Sequence, residues 1–157
     1  MDQKIYEKAI KLIKIRPHHS EELVRKLLMR HFDRELVVEV IQKLQEEKLL
    51  DNQQFAQMYL DELIRNKTFG FYGLKAKLMT RGIASNEAEK LLKENLSIEK
   101  ETELAQRVVA ASERRASPIL DGREREKNID KLKLSQKLSR KGFRSEVIRE
   151  VVKLHRL

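Results

Sequence analysis

Lys137-Leu138-Ser139-Arg140-Lys141-Gly142-Phe143-Arg144-Ser145 is one of three related stretches in the chain. Lys77-Leu78-Met79-Thr80-Arg81-Gly82-Ile83-Ala84-Ser85 has the same plan, and Lys26-Leu27-Leu28-Met29-Arg30-His31-Phe32-Asp33-Arg34 is a more divergent copy. Successive copies are offset by 51 and 60 residues, and the match continues on both sides. Leu23, Leu74 and Leu134 coincide upstream, and Val40-Ile41, Leu91-Leu92 and Val151-Val152 downstream. Self-similarity at this spacing marks repeated supersecondary units. In each copy an apolar-periodic segment ends at the Gly or His and a new one begins. Glycine is suited to the left-handed residue after a helix end. The residue after it (Phe32, Ile83 or Phe143) is expected to plug the core of its unit.

Around these turns the apolar residues recur at helical spacing. Residues 2–15 read as a helix through Ile5, Ala9, Leu12 and Ile13, ended by Arg16-Pro17. Ser20 is expected to cap a helix over 21–31, and Asp33 one over 34–48 whose apolar face includes Leu36, Val37, Val40, Ile41 and Leu44. Asp51 starts a helix to Arg65 with Phe55, Met58, Tyr59, Leu63 and Ile64 packing. Short helices over 72–81 and from Ser85 to Glu94 follow. The last unit opens near Ser97 with a helix to about Ala116. It breaks at Ser117 to Gly122, resumes over 124–141, and ends in a helix capped by Ser145. No alternating strand pattern and no Asn-Gly hairpin signal occurs. The expected fold is all-α: three tandem three-helix repeats, 1–50, 51–96 and 97–157, in an elongated, curved array.

The totals agree with this reading. Of 157 residues, 38% are charged and 5% aromatic, with 5 Gly and 2 Pro. This composition favours helices over sheets. There is no Cys, which excludes disulfides and thiolate chemistry. No apolar run approaches the roughly 18 residues of a membrane span, and the first residues lack signal-peptide character, so a cytoplasmic location is expected. Net charge is +9, with +2 over 1–50, +1 over 51–98 and +6 over 99–157. A basic balance points to an anionic partner.

The basic residues repeat with the turns. Lys26, Lys77 and Lys137 coincide, as do Arg30, Arg81 and Lys141 four positions on, so each middle helix carries a positive pair on one face. In the third repeat the stripe is denser: Lys131, Lys133, Lys137, Arg140, Lys141 and Arg144. Cations near a helix C-terminus also complement the helix dipole. Both readings stand for the first two repeats. In the third, the excess of charge exceeds what the dipole needs and points to binding. Lys137, Arg140, Lys141 and Arg144 are the part of the stretch that architecture is not expected to require.

Sequence-specific DNA reading is disfavoured. The helices after the turns carry Glu35, Glu39, Glu46 and Glu47 in one repeat and Glu87, Glu89 and Glu94 in the next, where base-reading helices present amides and cations. Arg149, Lys153 and Arg156 are tolerable only in the last helix. His18-His19 reads as loop surface, and His31 as a helix-end residue. Phe69, Phe71 and Tyr72 lie near Arg65 and Lys67, which suits either a core closure or a platform for exposed bases. No phosphate-cradling loop, nucleophile–base pair or paired carboxylates appear, so neither an enzyme nor a cofactor or metal is expected.

From Ile5 to Val152 the chain resembles the RecX family of bacterial recombination regulators. The resemblance rests on Leu44 through Leu49-Leu50-Asp51-Asn52 with Phe55-Ala56 and Tyr59, on Gly70 with Leu78 to Ile83, and on Leu138 to Phe143. His31 stands where the family often has Gly, and Asn52 stands at the second of two common acidic positions, where little effect on capping is expected. The resemblance implies a modulator, usually an inhibitor, of the RecA recombinase. Such a protein lies along the RecA–single-stranded DNA filament and hinders ATP hydrolysis and strand exchange by RecA. The implied partner is the RecA–single-stranded DNA filament; beside it double-stranded DNA is a secondary expectation, and no membrane and a monomeric chain are expected. The repeat alignment, not the resemblance, nominates Lys26, Arg30, Lys77, Arg81, Lys131, Lys133, Lys137, Arg140, Lys141 and Arg144 as contacts. The alternative is a general basic nucleic-acid-binding helical module without a dedicated recombinase partner.

Overall fold

A computed structural model describes residues 1–66, 68–115 and 131–155. The expectations placed on Lys67, on the break from Ser117 to Gly122, on the start of the 124–141 helix and on Arg156 lie outside the described residues. Within them the fold is all-helical: α1 (Gln3–Ile15), α2 (Ser20–Met29), α3 (Arg34–Glu46), α4 (Asn52–Asn66), α5 (Phe71–Thr80), α6 (Ser85–Asn95), α7 (Ile98–Arg115), α8 (Lys131–Arg140) and α9 (Ser145–Leu154). Among the described residues no helix is long and apolar enough to cross a membrane.

Helix starts follow capping chemistry, with two corrections. Asp2 accepts from the Ile5 amide, Asp33 from Glu35 and Leu36, Asp51 from Gln54, and Ser97 from Lys100. Ser20 does not cap α2. His19 does, its Nδ1 accepting from the Glu21 amide at 3.1 Å. Ser20 is engaged elsewhere: its amide donates to Asn52 Oδ1 at 2.8 Å and its hydroxyl accepts from Asn52 Nδ2 at 2.7 Å. Asn52, expected to have little effect on capping, also ties the start of α4 to the start of α2. Nor does Ser145 cap α9. Arg144 occupies that position, with no side-chain cap bond.

By packing, the chain falls into two compact units: Met1–Asp61 with Lys77–Ala88, and Glu62–Ala76 with Glu89–Leu157. In the first, α1, α2 and α3 pack pairwise around Ile5, Ala9, Leu23, Leu27, Val40 and Leu44. In the second, α9 packs on both α7 and α8, and Leu104, Val108, Leu134, Leu138, Val147 and Val151 are buried. Two expected core residues are surface instead, Leu36 at 38% and Met58 at 50% exposure, while the unforeseen Leu60 is fully buried.

The turns after α5 and α8 do the same job, each inside its own unit. Gly82 (φ +96°) lies against the first turn of α2, where an added Cβ would meet the Glu22 amide nitrogen at 2.8 Å. Gly142 (φ +81°) lies against the first turn of α5, where a Cβ would meet the Gly73 nitrogen at 2.0 Å. The Gly142 carbonyl accepts from the Tyr72 amide at 2.8 Å and the Lys141 carbonyl from the Gly70 amide at 3.0 Å. Each turn also closes its own helix, through Ile83 N–H to Leu78 and Phe143 N–H to Leu138. His31 takes the same left-handed backbone (φ +66°) but is exposed, so a side chain is tolerated there. Ile83 and Phe143 are buried, and Phe32 is half-buried against the first unit's core.

Candidate functional site

The repeats nominate ten cations. Several are drawn into two carboxylates that neither charge counting nor the repeat alignment singled out. In the first unit, Glu22 is buried near the start of α2. Arg16 pairs with both of its carboxylate oxygens, Lys26 reaches it at 3.6 Å and Arg81 at 3.5 Å. Burial pushes this carboxyl's pKa up. The hydrogen bond and charge of Arg16, with the charge of Lys26, outweigh that and hold it below the ordinary value. The Arg81 guanidinium also lies over the Tyr59 ring at 5.3 Å. Lys26 and Arg81, from different sequence repeats, therefore share one anion.

His18 and His19 are also part of this cluster rather than loop surface: both are buried. His18 Nδ1–H donates to the Arg16 carbonyl at 2.8 Å, which leaves Nε2 to accept from the Lys26 ammonium at 2.9 Å. His19, besides capping α2, meets Phe55 edge-on at 6.4 Å. Burial lowers the pKa of both imidazoles.

In the second unit, Glu101 of α7 is 0% exposed. It accepts from the Phe71 amide at 2.9 Å, the Arg144 amide at 2.9 Å and Arg144 Nε. Arg144 also donates to the Leu96 carbonyl at 3.2 Å and covers the Phe71 ring at 4.7 Å. The expectation that architecture does not require Arg144 is thereby corrected. Its side chain satisfies a fully buried carboxylate and is half-sequestered in doing so. Lys137 donates to Ser112 Oγ at 2.6 Å, and Lys141 lies over Phe69 at 5.4 Å. Arg30, Lys77, Lys133 and Arg140 are exposed, and Lys131 is half-buried.

The aromatic group divides as well. Phe71 is core and Phe69 is half-buried beneath Lys141, whereas Tyr72 is 59% exposed. Among the described residues no group of three or more His, Asp or Glu is placed to hold a metal ion. The surface these residues offer is one of exposed guanidinium and ammonium groups, suited to anions.

The chain is 33% identical over 144 residues to the regulatory protein RecX of Chlorobium limicola, covering 92% of this chain and 84% of that one. This chain belongs to the RecX family. RecX of Chlorobaculum tepidum is 32% identical over 146 residues, covering 93% of this chain and 84% of the relative. The structure superposes on crystallographic RecX from Lactobacillus salivarius with a TM-score of 0.78 at 20% identity, over 98% of this chain and 95% of that one. A second RecX crystal structure gives 0.77 at 23% identity, over 94% and 71%. No family model matches the chain. RecX relatives carry the name of regulatory proteins, and a regulatory role follows for this chain.

Proposed function

We propose that this chain regulates the RecA–single-stranded DNA filament, most directly by restraining ATP hydrolysis and strand exchange by RecA. Membership of the RecX family carries the reading. It is supported by the exposed cations Lys133 and Arg140 on α8 and Arg30 at the end of α2. On this reading the repeats 1–50, 51–96 and 97–157 present successive versions of one basic surface. The exposed members make the intermolecular contacts, while Lys26, Arg81 and Arg144 hold the frame.

Titration of the protein into RecA hydrolysing ATP on single-stranded DNA tests this. The rate is expected to fall saturably. Lys133→Glu with Arg140→Glu is expected to raise the half-effect concentration about tenfold, with thermal stability unchanged. A RecA rate indifferent to saturating protein sinks the proposal. Equal affinity for bare and RecA-coated DNA, without an ATPase effect, assigns the chain to the general nucleic-acid-binding class instead.

A further inference from the structure

Between α8 and α9, within the second unit, lies a cleft of about 290 Å³ lined by Lys131, Ser135, Ile148, Arg149, Val152 and Lys153. The sequence of α9 shows why it exists. Val147 and Val151, four apart, face the core and are buried. Ile148 and Val152, each one position further on, form a second aliphatic pair, which is only half-buried. Opposite them α8 places the small Ser135, which leaves the space unfilled. Among the described residues, three cations and no carboxylate line the cleft. Among the described residues neither Arg149 nor Lys153 is ion-paired, unlike Arg81, Lys26 and Arg144.

We infer that this cleft docks an acidic, aliphatic segment of a protein partner: two apolar side chains seated on Ile148 and Val152, with carboxylates on either side meeting Arg149 and Lys153. An aliphatic floor inside a cationic rim matches that chemistry. It matches nucleic acid poorly. Among the described residues no aromatic ring lines the cleft for a base to stack on. A phosphodiester chain also carries charge at every step, whereas exposed Glu146 and Glu150 stand on the same helix. A peptide can place its neutral residues there. The inference goes beyond filament regulation and does not depend on which protein supplies the segment.

The test uses the full chain and a labelled peptide with two Leu four positions apart, flanked by Glu and Asp. Controls are its Gln/Asn analogue and an oligo-dT strand. Saturable binding of the acidic peptide is expected, about tenfold tighter than of the amide analogue. Arg149→Glu with Lys153→Glu should weaken it at least as much while leaving the melting curve in place, since both residues are exposed. Val152→Ser should weaken it without affecting oligo-dT. Absence of saturable peptide binding, or binding indifferent to these substitutions, overturns the inference. So does oligo-dT displacing the peptide and losing its own affinity in the same variants, which assigns the cleft to nucleic acid.

Discussion

Glu101 and Arg144 set the largest single-residue effects expected in this molecule. A fully buried carboxylate that loses its cation is left charged and undersolvated, at a cost of about 3–5 kcal/mol. Arg144→Ala is therefore expected to destabilise the second unit by about 3 kcal/mol in urea unfolding. Arg144→Lys is expected to retain part of the loss, because one ammonium cannot serve Glu101 and the Leu96 carbonyl as a guanidinium does. A change of under about 0.5 kcal/mol for Arg144→Ala would show the pair to be incidental. The first unit carries the pH dependence. His18 and His19 have folded pKa values lowered by burial, so the unfolded chain binds more protons as pH falls. Their contribution is complete above the unfolded value of about 6.5 and is lost as pH drops through the folded value. Thermal unfolding is expected to shift downward from pH 7.5 to 5.5. In His18→Gln/His19→Asn, where Asn keeps the cap, that shift should shrink. An unchanged slope refutes this assignment.

At the scale of helices and turns, the decisive feature is the glycine turn pressed on the start of an earlier helix. Gly82→Ala and Gly142→Ala each force a side chain into left-handed backbone and into a neighbouring backbone nitrogen. Each is expected to cost about 2 kcal/mol or more by denaturant titration. His31→Gly, at the exposed copy, should stay within about 1 kcal/mol of the parent. Equal losses at all three positions would contradict the arrangement. The helices and these turns are legible in the sequence because their causes are local: period, cap and stop. Periodicity misplaces Leu36 and Met58 since helical spacing gives a face without its edges. Glu22 and Glu101 are illegible for another reason. Each looks like one more surface acid in a chain of 25 acidic residues: the cations close to Glu22 in sequence read as ordinary surface charge, and the cation of Glu101 stands 43 residues away. The same distance hides the structural role of Arg144. It reads as surplus charge because its carboxylate is not nearby in sequence.

For the whole molecule, the net charge of +9 makes any direct contact with nucleic acid salt-sensitive. Affinity for bare single strands should fall with rising salt. Removing Arg140 or Lys133 should reduce the logarithmic slope by about 0.7 for each phosphate no longer neutralised. Lys26→Ala and Arg81→Ala should instead lower stability, because those cations are committed to Glu22. A slope unaffected by Arg140→Ala and Lys133→Ala would place the DNA interface elsewhere. The division between exposed and committed cations is what the repeats alone do not reveal. Repetition aligns Arg81 with Lys141, yet one sits on a carboxylate and the other on a phenyl ring.

The two buried carboxylates also differ in when they find their partners. As the chain leaves the ribosome, Glu22 follows Arg16 by 6 residues and precedes Lys26 by 4, so it is neutralised almost at once. Glu101 has no such neighbour. Its amide partner at Phe71 is made 30 residues earlier, but Arg144 comes 43 residues later. At roughly 5–20 residues per second, that leaves the carboxylate without its cation for a few seconds. A nascent chain halted before Arg144 therefore carries every member of the first unit's charge cluster, while Glu101 still lacks its cation. The order of synthesis thus supplies the partners of the two buried carboxylates at different times.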